Sequence, residues 1–450
     1  MKKMFVLWGA LALLTAACSN EESQEVSFSP LVLTAQQEGG EATRTSLSGK
    51  EVHWSAGDKV AAFVSNVAHT STATEILSPK SARFTFSDLA ADAAVQYAVY
   101  PASAAVGLVG DAITVTVPTE QTAVAGSFAE GSAVAIAKGG SSTLGFKNVC
   151  GFLAFTINAD GVQSVHIYAN EKMTGTANVI WNNGNPTVSA FGTFAYTGVK
   201  LTGPFTKGAT YYAAVFPGSY TGLTLKLTHS NGYVSTYTNS NKLTISRKDN
   251  VVIARNLVLR TPVSGTWFEK DPATIGSDVP VIIVGKVGND YRLISNANTH
   301  TDTGDVSPSA ATTATVSGST VTDVDAEFKW NLSTTDSKFT FYPAGVNKRW
   351  LNCQATSESA SQTCMAVDNE SYFKRRFFIW DATGHLVTSD GYDARYLSYN
   401  NDLWCGETFP TSASYPAAVF SFYVQVPSET GSDNQGGGNT PPSGGGNEND

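Results

Sequence analysis

Ile113-Thr114-Val115-Thr116-Val117 alternates apolar and polar residues and stops at Pro118, and Leu223-Thr224-Leu225-Lys226-Leu227 repeats the pattern just after Gly222. A period of two puts every second side chain on one face of a pleated strand, and Pro has no N–H for the next rung of a ladder. Phe84-Thr85-Phe86 follows the same rule. Asn183-Gly184 and Asn231-Gly232 supply turn chemistry, and the second runs into Tyr233-Val234-Ser235-Thr236-Tyr237, which predicts a hairpin. No long segment has a helical period. The expected class is therefore all-β, with antiparallel β-sandwiches as its default architecture.

Composition narrows the function. Charged residues are 15% of the 450 against a usual ~25%, which argues against long charged helices. Hydrophobic residues are 42%, enough for a core in each of about three domains. With 29 Lys+Arg against 38 Asp+Glu the chain is net −9. It has no surplus of cations to neutralise phosphates, so no nucleic-acid partner is expected.

At the N-terminus Lys2 and Lys3 precede an apolar run from Met4 to Leu14 that ends in Thr15-Ala16-Ala17-Cys18. This is the build of a secretory signal, too short to remain as a spanning helix. The stretch ending at Cys18 resembles a bacterial lipobox. That resemblance implies a signal peptide over 1–17, acylation of Cys18, and anchoring of the chain in outer-membrane lipid. Ser19 to Glu25 is acidic and polar, giving a tether over 18–26. It resembles the export signal that carries some lipoproteins to the cell surface, while a plain linker facing the periplasm is the alternative. Of the remaining cysteines, Cys150 sits in an apolar stretch and reads as a small core residue. Cys353, Cys364 and Cys405 with it allow three full pairings, and no disulfide framework is expected.

Several pieces then occur in a fixed order: Thr43-Arg44-Thr45-Ser46-Leu47, Val52-His53-Trp54-Ser55-Ala56-Gly57-Asp58-Lys59-Val60, Tyr97-Ala98-Val99-Tyr100-Pro101, Leu144-Gly145-Phe146-Lys147-Asn148-Val149, and Tyr211-Tyr212-Ala213-Ala214-Val215-Phe216-Pro217-Gly218. Together they resemble the fimbrillin-like (Mfa-like) proteins related to type V pilins, over about residues 27 to 260. The resemblance implies two tandem fimbrillin-type, transthyretin-like β-sandwiches, at 27–157 and 158–260. It further implies that a protease cuts after Arg44, removing the strand at Phe28 to Thr34 and letting a strand of another pilin subunit take its place by β-strand addition. The alternative is that Arg44 is an ordinary loop residue and the strand stays. Shaft subunits of the family donate their own C-terminal segment, whereas here a further domain follows Arg260. A tip, accessory or free-standing adhesion role fits better. Read physically, Trp54 and Asp58 are structural: an apolar anchor at a strand end, then a tight turn.

Over 265–427 five of the eight Trp are concentrated: Trp267, Trp330, Trp350, Trp380 and Trp404. Asp290-Tyr291-Arg292-Leu293, Lys348-Arg349-Trp350-Leu351 and Ala394-Arg395-Tyr396-Leu397 suggest three related β units. The region resembles a β-trefoil-like barrel, with a third sandwich as the alternative. Trp330, Trp350 and Trp380, at repeated positions, read as core. Tyr396, Tyr399, Asn400, Asn401, Asp402 and Trp404 read as a carbohydrate-contact loop, because aromatic faces stack on sugar rings and amides bond hydroxyls. Host or dietary glycans would be the partner, and the sandwiches a stalk. The tail at 428–450 is Gly, Asn, Ser, Pro and acid, a linker composition.

No catalytic constellation is present. The six His are scattered, and no nucleophile elbow, phosphate loop or metal spacing occurs. The expectation is a surface adhesion protein without metal, cofactor or enzymatic activity.

Overall fold

A computed structural model describes residues 29–38, 47–48, 51–52, 54–296, 311–322, 324–343, 350–353, 365–368, 376–389, 394–400, 403–407 and 417–427. Cys18, Arg44, Asn401, Asp402, the signal, the tether and the tail lie outside them. Among the described residues the protein is all-β, with 3-10 turns at Ala102–Ala104, Pro272–Thr274 and Ala326–Phe328.

The first body is built on an eight-stranded sheet in the order Val67–Thr70, Ala61–Val64, Val95–Tyr100, Ala135–Lys138, Thr143–Asn148, Pro30–Gln37, Ser81–Ala90, Ala73–Ser78. One of its cores holds Leu31, Leu33, Ala62, Phe84, Phe86, Tyr100 and Phe146 around Trp54. The Trp54 ring meets Phe84, Tyr100 and Phe146 edge-on, with centroids 5.1, 5.1 and 5.6 Å away. Asp58 fixes the following turn, accepting from the Ser55 N–H at 2.7 Å and from the buried Tyr100 hydroxyl at 2.8 Å. Both residues are structural, as their positions in the sequence suggest.

A three-stranded sheet, Thr210–Val215, Gly151–Ile157, Asn250–Leu257, forms a wall between two cores. Phe152 and Ala214 point into the core shared with the first body, while Leu153, Phe155, Tyr211 and Ala213 point into the next one. Alternation explains this: neighbouring side chains on a strand face opposite ways, and here both faces are covered. Cys150, fully buried at this wall, has its thiol pushed up to about 12 by burial, so it is unreactive.

The division of the sandwiches at 157/158 needs correction. Gly151–Ile157, placed by sequence in the first, pairs with strands of the second. Thr174–Asn182, placed in the second, pairs with Ala112–Val117 of the first. The two bodies interleave and share a wall instead of following one another. Beyond the wall a five-stranded sheet, Glu120–Thr122, Gly198–Thr202, Val162–Tyr168, Leu223–His229, Val234–Asn239, completes the second core.

The C-terminal region has the pairing of a β-trefoil. Six strands follow one another round a ring: Val279–Val287 pairs with Lys329–Thr335, that with Lys338–Pro343, that with Phe378–Trp380, and that with Leu386–Thr388. Val419–Gln425 pairs back to Val279–Val287, and the Phe420 N–H donates to the Gly384 carbonyl at 2.8 Å to close the ring. Three hairpins cap it: Asp290–Ile294 with Ala311–Thr313, Trp350–Cys353 with Met365–Asp368, and Tyr396–Asn400 with Leu403–Glu407. Leu293, Leu351 and Leu397, the Leu of each repeated motif, are all buried. The strand Trp267–Lys270 leads in and pairs with Val419–Gln425.

Candidate functional site

The strand Pro30–Gln37 occupies an interior lane of the eight-stranded sheet. On one side it runs antiparallel to Ser81–Ala90, from Leu31 opposite Phe86 to Gln36 opposite Ser81. On the other it runs parallel to Thr143–Asn148, from Thr34 opposite Thr143 to Gln37 opposite Phe146. Leu31, Leu33 and Ala35 face the core, and Val32 faces out at 45% exposure. Burying the two leucines contributes about 1.5–3 kcal/mol each. Vacating the lane would leave two unpaired strand edges beside an apolar slot, the geometry that β-strand addition requires.

Just past this strand, Glu38 ties the first body to the second. Its backbone N–H donates to the Phe146 carbonyl at 3.0 Å. Its carboxylate accepts both guanidinium nitrogens of Arg247, at 2.5 and 2.9 Å, and lies 3.5 Å from Lys248 Nζ. Burial raises the Glu38 pKa, but the Arg247 bonds and the charges of Arg247, Lys248 and Lys147 outweigh it, so the carboxyl sits below its usual range. Arg247 also donates to the Asn148 carbonyl and to Asn185 Oδ1, each at 3.1 Å. Sequence reading missed this clamp because its partners are 209 residues apart.

The carbohydrate-contact expectation fares differently. Trp404 is fully buried: its indole N–H donates to the Leu293 carbonyl at 3.0 Å, and its ring packs on Phe420. It belongs to the barrel core and offers no face to a sugar. Its register explains this, because Trp404 lies opposite Tyr399 in a hairpin whose inner face closes on the ring. Trp330 is likewise buried and donates to the Ile294 carbonyl at 2.9 Å, as expected of a core residue. Tyr399 is half-buried with the Arg292 guanidinium 5.1 Å from its ring centre. Tyr396 is turned toward Tyr196, at the end of the strand Asn185–Tyr196, and bonds it; it also meets the His385 ring of the trefoil edge-on at 5.8 Å. Tyr396 and Trp404 therefore form no common sugar-facing surface with Tyr399. Of Asn400, the backbone is placed opposite Leu403.

Tyr396 belongs to a buried joint that no sequence motif announced. Lys226 Nζ lies 2.6 Å from Glu269 Oε1 across the boundary between the five-stranded sheet and the trefoil, and also donates to Ser421. Thr236 donates to Glu269 Oε2 at 2.5 Å, and the Thr236 N–H to Ser319 Oγ at 2.8 Å. The His166 ring stacks on Trp380 at 5.6 Å and bonds the Tyr168 hydroxyl at 2.5 Å. Burial, then the positive charges of Lys200 and Lys226, hold His166 well below the usual imidazole value. Gly384, at φ +83°, is required here: a Cβ would come 2.8 Å from the Tyr168 hydroxyl oxygen. No group of three or more His, Cys, Asp or Glu suited to a metal occurs among the described residues.

No family model matches the chain, and no curated protein matches it. Solved structures similar to it include two from Bacteroides described as candidate cell adhesion proteins. The one from Bacteroides ovatus is 12% identical, covering 53% of this chain and 94% of its own, with a TM-score of 0.33. The one from Bacteroides uniformis is 18% identical, covering 51% and 94%, with a TM-score of 0.31.

Proposed function

We propose that the protein is a surface-displayed, fimbrillin-like adhesion or accessory pilus subunit, anchored through an acylated Cys18, whose first strand is exchanged for a partner's strand after cleavage at Arg44. The observation that carries this is the interior position of Pro30–Gln37: it is N-terminal to everything it pairs with, so it can leave without unthreading the chain, and it fills an apolar lane with ladder bonds on both sides. Arg44 follows that lane within a few residues. The joined second sandwich and trefoil then act as one body that projects from the exchanging sheet. A glycan-binding role for the trefoil loses Trp404 to the core and is the weaker reading.

The test is limited trypsin digestion of residues 18–450 with and without a synthetic peptide of residues 28–41, followed by mass analysis of the fragments. One cut after Arg44 with peptide uptake is the expected result. Resistance at Arg44 would remove that residue as the cleavage site, and a cut without uptake would leave a closed protein and remove strand exchange.

A further inference from the structure

The Glu38 clamp bears on what replaces the first strand. Arg247 does not depend on Glu38 for its position, since it is also held by the Asn148 carbonyl and by Asn185 Oδ1. Asn185 in turn accepts from Lys147 Nζ at 3.2 Å. Lys248, at φ 72°, is fixed by its N–H to the Cys150 carbonyl at 2.8 Å. Three cations thus converge on the end of the lane from parts of the fold that stay behind when the strand leaves. The Arg247 and Lys248 side chains are only 18% and 25% exposed, with Glu38 at 16%. An occupant with a neutral side chain at this point would leave both facing it uncompensated, and a cation would be repelled.

Resting on the strand-exchange reading above, we infer that Arg247, Lys248 and Lys147 form a carboxylate-reading socket that selects the incoming strand. The accepted strand presents apolar residues at alternate positions matching Leu31, Leu33 and Ala35, then an Asp or Glu three residues after the last of them, where Glu38 stands. The apolar slot supplies affinity for many strands. The socket supplies discrimination, because a bidentate guanidinium–carboxylate bond is directional and an unmatched buried charge penalises the wrong partner.

The test uses residues 18–450 cut after Arg44, or carrying a protease site in place of residues 40–45 if trypsin leaves Arg44 intact. Labelled peptides of residues 28–41 are offered with Glu38, with Glu38→Gln and with Glu38→Lys, and binding is followed by fluorescence anisotropy. The Glu38 peptide is expected to bind about tenfold more tightly than Glu38→Gln, with the gap narrowing at about 0.5 M salt. Arg247→Glu protein should reverse the order and prefer Glu38→Lys. Lys248→Glu, at a position that makes no bidentate bond, should narrow the preference and provides a second variant if Arg247→Glu fails to fold. Equal binding of all three peptides, or an unchanged order in both variants, overturns the socket while leaving strand exchange intact. Uptake of none of them overturns strand exchange and the socket together.

Discussion

Individual side chains carry clear consequences. Trp404 fills the barrel and satisfies the Leu293 carbonyl, so Trp404→Ala should cost about 3–5 kcal/mol in denaturant unfolding, the range for an emptied aromatic core site. His166 has a folded pKa below its unfolded value, with burial as the main cause. Above about pH 6.5 the imidazole is neutral in both states and adds no pH dependence, whereas below that the unfolded chain takes up the proton first and stability falls. The urea midpoint of the wild type should therefore drop between about pH 6.5 and 5, and His166→Gln should make that decline shallower. Glu38 follows the carboxylate rule: its lowered pKa means that the clamp stabilises above the unfolded value and is lost as pH falls through the folded one.

At the scale of strands, Leu33→Ala should cost about 2–5 kcal/mol and speed amide exchange selectively along Pro30–Gln37 and its two neighbours, as read by hydrogen-exchange mass spectrometry. The alternating runs were legible in the sequence because their physics is local. Ile113, Val115 and Val117 are buried while Thr114 and Thr116 are half-exposed, as a period of two demands. The three aromatic-Leu repeats were also legible: each buries its Leu, Leu351 and Leu397 in the barrel core and Leu293 in the cluster beside it around Trp267 and Tyr423. The same rule misleads at Leu223–His229, where every residue is buried, Thr224, Lys226 and Thr228 included. A pattern that reads as one wet face and one dry face cannot reveal that a later domain covers the wet one. Trp404 was misplaced for a related reason: polar neighbours in sequence say nothing of which side of a hairpin closes on the barrel. The Glu38–Arg247 clamp was invisible because a pair so distant leaves no periodic signal.

For the molecule as a whole, the decisive features are the shared wall between sandwiches and the polar joint to the trefoil. Lys226 and Glu269 are nearly dry, so Lys226→Met alone should destabilise by about 3–5 kcal/mol by stranding a carboxylate, while Lys226→Met with Glu269→Leu should be near neutral or stabilising. A double-mutant cycle on denaturant midpoints checks both. On the edge strand Val234–Asn239 the Thr236 N–H donates to Ser319 Oγ, which shields part of a sheet edge that would otherwise recruit other chains. The entry and exit of the trefoil carry a mechanical meaning. The Gly265 N–H donates to the Val426 carbonyl, the Val426 N–H to the Thr266 carbonyl, and the antiparallel ladder runs inward from there to Lys270 opposite Phe422. Tension applied between residues 264 and 427 would load these bonds one at a time from the open end, like a zip. A pull passing through that pair would strip the lead-in strand Trp267–Lys270 from Val419–Gln425 at low force, and this junction would act as an extensible element, lengthening before the interleaved sandwiches yield.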